Sequence, residues 1–145
     1  MKIPTGRATL LVLALCGLLP AWGAARAEDD LYQALGAEDG IVKIVHNATA
    51  LWLADDRIKA DFDNINMDWL SKHLVEQLCH LAGGPCIYKG RDMHATHIGL
   101  HLHDAEFNAV AEDVQTAMEQ ADVPYHVQNR LMALLAPLER QVVTQ

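Results

Sequence analysis

Over residues 38–53 the apolar side chains Ile41, Ile44, Val45, Ala48 and Trp52 return every three or four positions, the period of a helix with one buried face. Ala54-Asp55-Asp56 interrupts the period, and a brief turn carrying Ile58 and Phe62 follows. The spacing resumes over 67–82, with Leu70, Leu74, Leu78 and Leu81 on one face and Asn66 or Asp68 in capping position. Gly83-Gly84 ends that helix, and Pro85, which has no N–H to give, forbids its return. After an irregular stretch the pattern predicts a short helix over 91–98. A longer one follows, capped by Asp104, with Phe107, Val110, Val114, Ala117 and Ala121 inward. Pro124 opens the last helix, whose buried face reads Val127, Leu131, Leu134, Leu135, Leu138 and Val142; Pro137 predicts a bend in its final third. A short stretch at 29–35, closed by Gly36, completes the set. Nothing alternates as a half-buried strand does and nothing repeats, so the fold class is all-α, with about four substantial helices and two short ones.

The first residues follow a different rule. Lys2 and Arg7 precede an apolar run at 8–19, and Pro20 and the small-x-small triplet Ala25-Arg26-Ala27 come after it. These are the zones of a secretory signal peptide over residues 1–27, leaving one domain at 28–145. The apolar run is shorter than the roughly 20 residues a spanning helix needs, so no stable membrane anchoring is expected after cleavage. Cys16 does not suit lipidation, because Leu15 stands where a small residue should precede it. The expected location is periplasmic or secreted. Cleavage removes three of the 11 cationic residues, leaving 8 against 19 acidic ones and a net charge of −11 in place of −8. Such a surface repels phosphate backbones and anionic lipid, which argues against nucleic acid as a partner and suits docking on a basic protein.

Cys79 and Cys86 remain in the mature domain. An oxidising compartment would let them pair, and as free thiols they would pack as small apolar groups; both readings stand. Eight histidines is a high number for so small a domain. His46, His80 and His126 fall on or beside polar helix faces and His101 and His103 lie in a link, so these five are expected in solvent. His94, His97 and His101, at i, i+3 and i+7, would suit zinc or copper on one helix face. No cysteine or carboxylate has supporting spacing, however, and Gly99 interrupts the run. His73, at the margin of its helix's apolar face, and His97, within Met93-His-Ala-Thr-His97-Ile-Gly99, are different. Each alone reads as a core histidine satisfied by a hydrogen bond. Together, across a space lined by Leu, Ile, Phe and Met, they suit a buried planar iron cofactor, for which neutral imidazole is a good axial ligand.

At this point the motifs match a family. Leu31-Tyr32-x-x-Leu35-Gly36, Leu53-Ala54-Asp55-Asp56, Phe62, Asn66-Met67, Gly83-Gly84-Pro85 and Tyr88-x-Gly90-x-x-Met93-x-x-x-His97 occur in order. They are followed by the Phe107 helix, Val123-Pro124 and Leu134-Leu135-Ala136-Pro137. In this combination the chain resembles the group I truncated haemoglobins over nearly its whole mature length. The resemblance implies a two-over-two helical sandwich around a b-type haem (iron protoporphyrin IX). It implies His97 as the proximal iron ligand, Phe62 wedged against the porphyrin, and Tyr88 and Met93 lining the haem, Tyr88 near a propionate. Leu70, Leu74 and Leu78 would form the distal face. His73 matches a position that supplies a second axial imidazole in some members.

The chain also departs from the family. Thr49 stands where a tyrosine usually hydrogen-bonds bound dioxygen, and Leu74 where a glutamine is frequent. A charge-assisted donor in a dry pocket is worth ~1.5–3 kcal/mol, so its loss would raise dioxygen off-rates by roughly ten- to a hundredfold. Thr49 is too short to replace a phenol directly and would need a bridging water. A paired glycine after the first helix reads Gly36-Ala37 here, a minor change. No Cys-x-x-Cys-His occurs, and Glu139 stands where some relatives carry a haem-linking histidine. The resemblance thus implies a ligand-binding haem protein for dioxygen, carbon monoxide or nitric oxide. Nitric oxide dioxygenation or peroxide reduction, and bis-histidine electron transfer with a reductase or other redox partner, are the competing readings.

Overall fold

The computed structural model describes residues 30–144. The signal-peptide assignment at 1–27 lies outside them. Among the described residues seven α-helices follow in order: α1 (Leu31–Ala34), α2 (Ala37–Ala54), α3 (Met67–Leu81), α4 (Met93–His97), α5 (Asp104–Gln120), α6 (Tyr125–Leu135) and α7 (Glu139–Val142). Single 3-10 turns at Lys59–Phe62 and Ala136–Leu138 link α2 to α3 and α6 to α7. No strand occurs among the described residues, and no helix there is long and apolar enough to cross a membrane.

The helix α2 organises the molecule. Its stripe Ile41, Ile44, Val45, Ala48 and Trp52 is buried as the periodicity predicts, packed chiefly on α5 and α3. Across it, Ala109, Val114, Ala117 and Met118 of α5 meet Val127 and Leu131 of α6. The pair α2–α3 therefore lies over the pair α5–α6, the expected two-over-two sandwich, with α1 against α6 and α4 against α7. The 3-10 turn at 59–62 brings Phe62 onto Trp52, rings stacked 5.5 Å apart and 7° from parallel, and the Trp52 indole donates to the Val110 carbonyl.

Helix boundaries follow local chemistry. Asn66 caps α3 by accepting the Trp69 N–H at 3.0 Å. The N-cap of α5 is His103 rather than the expected Asp104, because Glu106 reaches back to the His103 N–H at 2.9 Å. Pro137 does more than bend the last helix: α6 stops at Leu135, a 3-10 turn carries the proline, and α7 starts afresh. Leu134, expected inward, is exposed, in an open depression beside Leu31, Leu81 and Gly83; α1, the element packed there, is one turn long and does not cover it. Gly36 and Ala37 both take left-handed backbone, φ +89° and +55°. The Ala37 replacement is therefore not a minor change, since a Cβ in that region costs about 1–2 kcal/mol.

Cys79 and Cys86 form a disulfide across the Gly83-Gly84-Pro85 corner, with Cα atoms 5.8 Å apart. Gly84 is obligatory there, because a Cβ would sit 2.5 Å from the Tyr32 ring and 2.7 Å from the Cys79 sulfur.

Candidate functional site

Between the two helix pairs lies a cavity of about 510 Å³. Leu70, Leu74 and Leu78 of α3 form one stretch of its lining, Phe107, Val110 and Val114 of α5 another, and Leu135, Leu138 and Val142 a third. The half-buried state of Leu70 and Leu74 has this cause: they face the cavity instead of a packed partner. Phe62, Tyr88 and Met93 also line it, as do His73 and His97. Thr49 does not. It is 9% exposed, but its hydroxyl turns along α2 and donates to the Val45 and His46 carbonyls at 2.9 and 3.0 Å, the usual competition of a helical threonine for its own backbone. Of the residues expected at the cofactor site, Thr49 is thus the one that does not reach the cavity lining.

The two cavity histidines share one geometry. His97 Nδ1 lies 2.7 Å from the Met93 carbonyl, and His73 Nδ1 lies 2.8 Å from the Trp69 carbonyl. A carbonyl only accepts, so each Nδ1 carries the proton and each neutral ring keeps its lone pair at Nε2. That is the tautomer a metal-ligating imidazole takes, with the other nitrogen pinned by an acceptor. The rings come from different helices, α4 and α3. The remaining histidines are exposed: 46, 80, 101, 103 and 126 as expected, and His94 as well. Among the described residues no three His, Cys, Asp or Glu side chains converge on a metal-sized site.

Trp69, Gln77, Arg91 and Asp61 are among the cavity residues that escaped the sequence reading. Trp69, 53% exposed, stacks on His73; its signal was the i, i+4 spacing to that histidine. Gln77 bridges α3 to the Met93 sulfur at 3.4 Å. Arg91 brings a guanidinium to the lining, and its carbonyl accepts the Tyr88 hydroxyl at 2.9 Å. Burial, with Asp92 and Glu76 nearby, holds the Tyr88 phenol above its ordinary range, so it stays neutral. The Tyr88 ring also folds over Gly90, where any Cβ would collide with it. Asp61, the fourth, lies in the lining near Glu106, and burial first, then that neighbour, raises its carboxyl.

A hydrocarbon-lined cavity that holds two imidazoles with free lone pairs and one guanidinium fits a haem. Residues 30–144 match the family model described as bacterial-like globin. The chain belongs to the truncated haemoglobin branch of the bacterial-like globins. It is 33% identical over 93 residues to a group 1 truncated hemoglobin of Tetrahymena pyriformis, covering 64% of this chain and 77% of that one. It is 28% identical over 114 residues to the group 1 truncated hemoglobin GlbN of Mycolicibacterium paratuberculosis, covering 79% and 84%. Its fold superposes on the crystal structure of the Tetrahymena pyriformis truncated hemoglobin in its Fe(III) form with a TM-score of 0.77, at 29% identity, covering 79% of this chain and 98% of that one. Membership of this truncated haemoglobin family supports haem-based binding of diatomic gases, and the cavity residues fit that group.

Proposed function

We propose that the chain is an exported b-type haem globin that binds dioxygen, carbon monoxide or nitric oxide, with His97 as proximal ligand and His73 as the distal group. The observation that carries the reading is the bond from His97 Nδ1 to the Met93 carbonyl, which leaves Nε2 as a lone-pair donor in a hydrocarbon cavity. Bound haem would supply an iron at which a diatomic ligand can bind. The chain supplies the remainder. Leu70, Leu74, Phe107 and Val110 exclude water, and Phe62, backed by Trp52, gives a flat aromatic wall. Arg91 provides positive charge for carboxylates carried on the cofactor's rim. Export rests on the charged, apolar and small-residue zones of residues 1–27.

One observation favours a second reading, permanent bis-imidazole ligation with electron transfer to a cationic partner. With its Nδ1 proton committed to Trp69, a neutral His73 presents a lone pair and no proton at Nε2. Coordination suits that tautomer, whereas donation to a bound ligand does not. Where His73 coordinates, a diatomic ligand competes with it, and apparent affinity falls by the fraction of open sites.

Absorption spectra of the purified protein test both. A Soret band with narrow low-spin ferrous bands is expected, and His73→Ala converts the ferrous form to five-coordinate, speeding carbon monoxide binding. His97→Ala is expected to lose the cofactor during purification. Retention of wild-type colour and coordination by that variant removes the reading.

A further inference from the structure

The helix α4 carries His97 yet has little of its own to hold it in place. It is five residues long, none of them buried, too short to be stable by itself. Irregular chain flanks it on both sides, with left-handed backbone at Gly99 (φ +83°) and His101 (φ +54°) just beyond its end. His97 is its last residue, so its carbonyl is one of the acceptors a helix leaves unpaired at its C-terminus.

Two donors meet that carbonyl: the Leu100 N–H at 3.0 Å and the Thr144 hydroxyl at 3.1 Å. A carbonyl oxygen has two lone pairs and takes both. The Thr144 N–H in turn donates to the Leu102 carbonyl at 3.1 Å. One residue of the C-terminal tail thus grips the chain at positions 97 and 102, while α7 just before it packs on α4 and places Val142 in the cavity lining. The ring of His97 is held from one side by Met93 and its backbone from the other by Thr144.

We infer that Thr144 is a positioning residue for the proximal imidazole, fixing through the His97 carbonyl the direction from which Nε2 approaches the iron. The inference rests on His97 being the proximal ligand. The tail beyond α7 is then part of the site, acting without touching the cofactor.

The test compares Thr144→Val, Thr144→Ser and, as control, Thr116→Val, the same change at an exposed threonine bonded within α5. Each is made in the full holoprotein. Loss of one hydrogen bond of this kind is expected to speed haemin transfer to an excess acceptor globin roughly two- to tenfold. The iron–imidazole stretching band of the ferrous protein, read by resonance Raman after carbon monoxide photolysis, is expected to shift and broaden. Thr144→Ser restores both readings, and Thr116→Val leaves both unchanged. Wild-type transfer and an unmoved band in Thr144→Val overturn the inference, as does a Thr144→Ser protein that behaves like Thr144→Val. Faster amide exchange at residues 97–102 with an unmoved band also overturns it, because the tail would then steady the backbone without orienting the ligand. Failure of the underlying assignment shows separately, as retained coordination in His97→Ala.

Discussion

The imidazole of His73 lies against the indole of Trp69, ring centroids 3.9 Å apart and planes 28° from parallel. Trp69 therefore holds His73 twice, by its ring and by the carbonyl that takes the Nδ1 proton. Stacked aromatic pairs contribute about 0.5–1.5 kcal/mol beyond area burial. Trp69→Ala should accordingly reduce the six-coordinate ferrous fraction by roughly two- to tenfold and raise the carbon monoxide association rate in step. Unchanged spectra and rates would mean that the indole plays no part in orienting His73.

Thr49 yields a prediction of no effect. Its hydroxyl is spent on Val45 and His46, away from the cavity lining. Thr49→Val, close in shape, should leave the dioxygen dissociation rate within about twofold of wild type. A larger acceleration, comparable to loss of a polar donor of ~1 kcal/mol or more, would show that the hydroxyl reaches bound ligand after all.

The Cys79–Cys86 bridge closes a short loop, with a sequence separation of 7. Chain entropy alone puts the stabilisation from a loop of this size at about 2–3 kcal/mol. Urea unfolding of the oxidised protein against Cys79→Ala/Cys86→Ala should show that difference, and reductant should abolish it. Equal midpoints in all three samples would assign the corner's stability to Gly84 packing instead.

Asp113 carries a buried carboxylate oxygen with no hydrogen-bond partner. Burial first, then the neighbouring Asp55, and in part Glu112, raise its carboxyl above the ordinary range against the pull of Arg57. A carboxyl raised in the folded state favours folding below its unfolded value and loses that contribution as pH climbs through the folded one. Asp113→Asn should therefore raise Tm at pH 7 by roughly 1–3 °C, and the gain should vanish below about pH 4. A variant less stable than wild type at pH 7 would refute the argument.

The architecture was legible in the sequence wherever one face of a helix repeats, and the features that ended helices were legible too. Ile41 through Trp52, Asn66, Gly83-Gly84 and Pro124 stand where periodicity and turn chemistry put them. The cavity lining was legible as far as His73, His97 and the leucines of α3, because lone-pair chemistry and apolar spacing are both properties of residue type. What stayed hidden was orientation. Nothing in residue order says that Thr49 bonds to its own helix, that Glu106 makes His103 the cap, or that a four-residue α1 leaves Leu134 in water. Arg91 and Trp69 were missed because they are exposed, and their roles come from what lies beside them in space.

Pro137 separates two tasks that one continuous rod would have fused. Ahead of it Val127 and Leu131 belong to the interior shared by the sandwich, and only the final residue of α6, Leu135, reaches the cavity; behind it Leu138, Val142 and Thr144 face the cavity and the segment bearing His97. Substitutions in the rear portion can thus retune how firmly the prosthetic group is gripped while the scaffold in front stays intact. The imino acid makes the end of this chain a module open to adjustment.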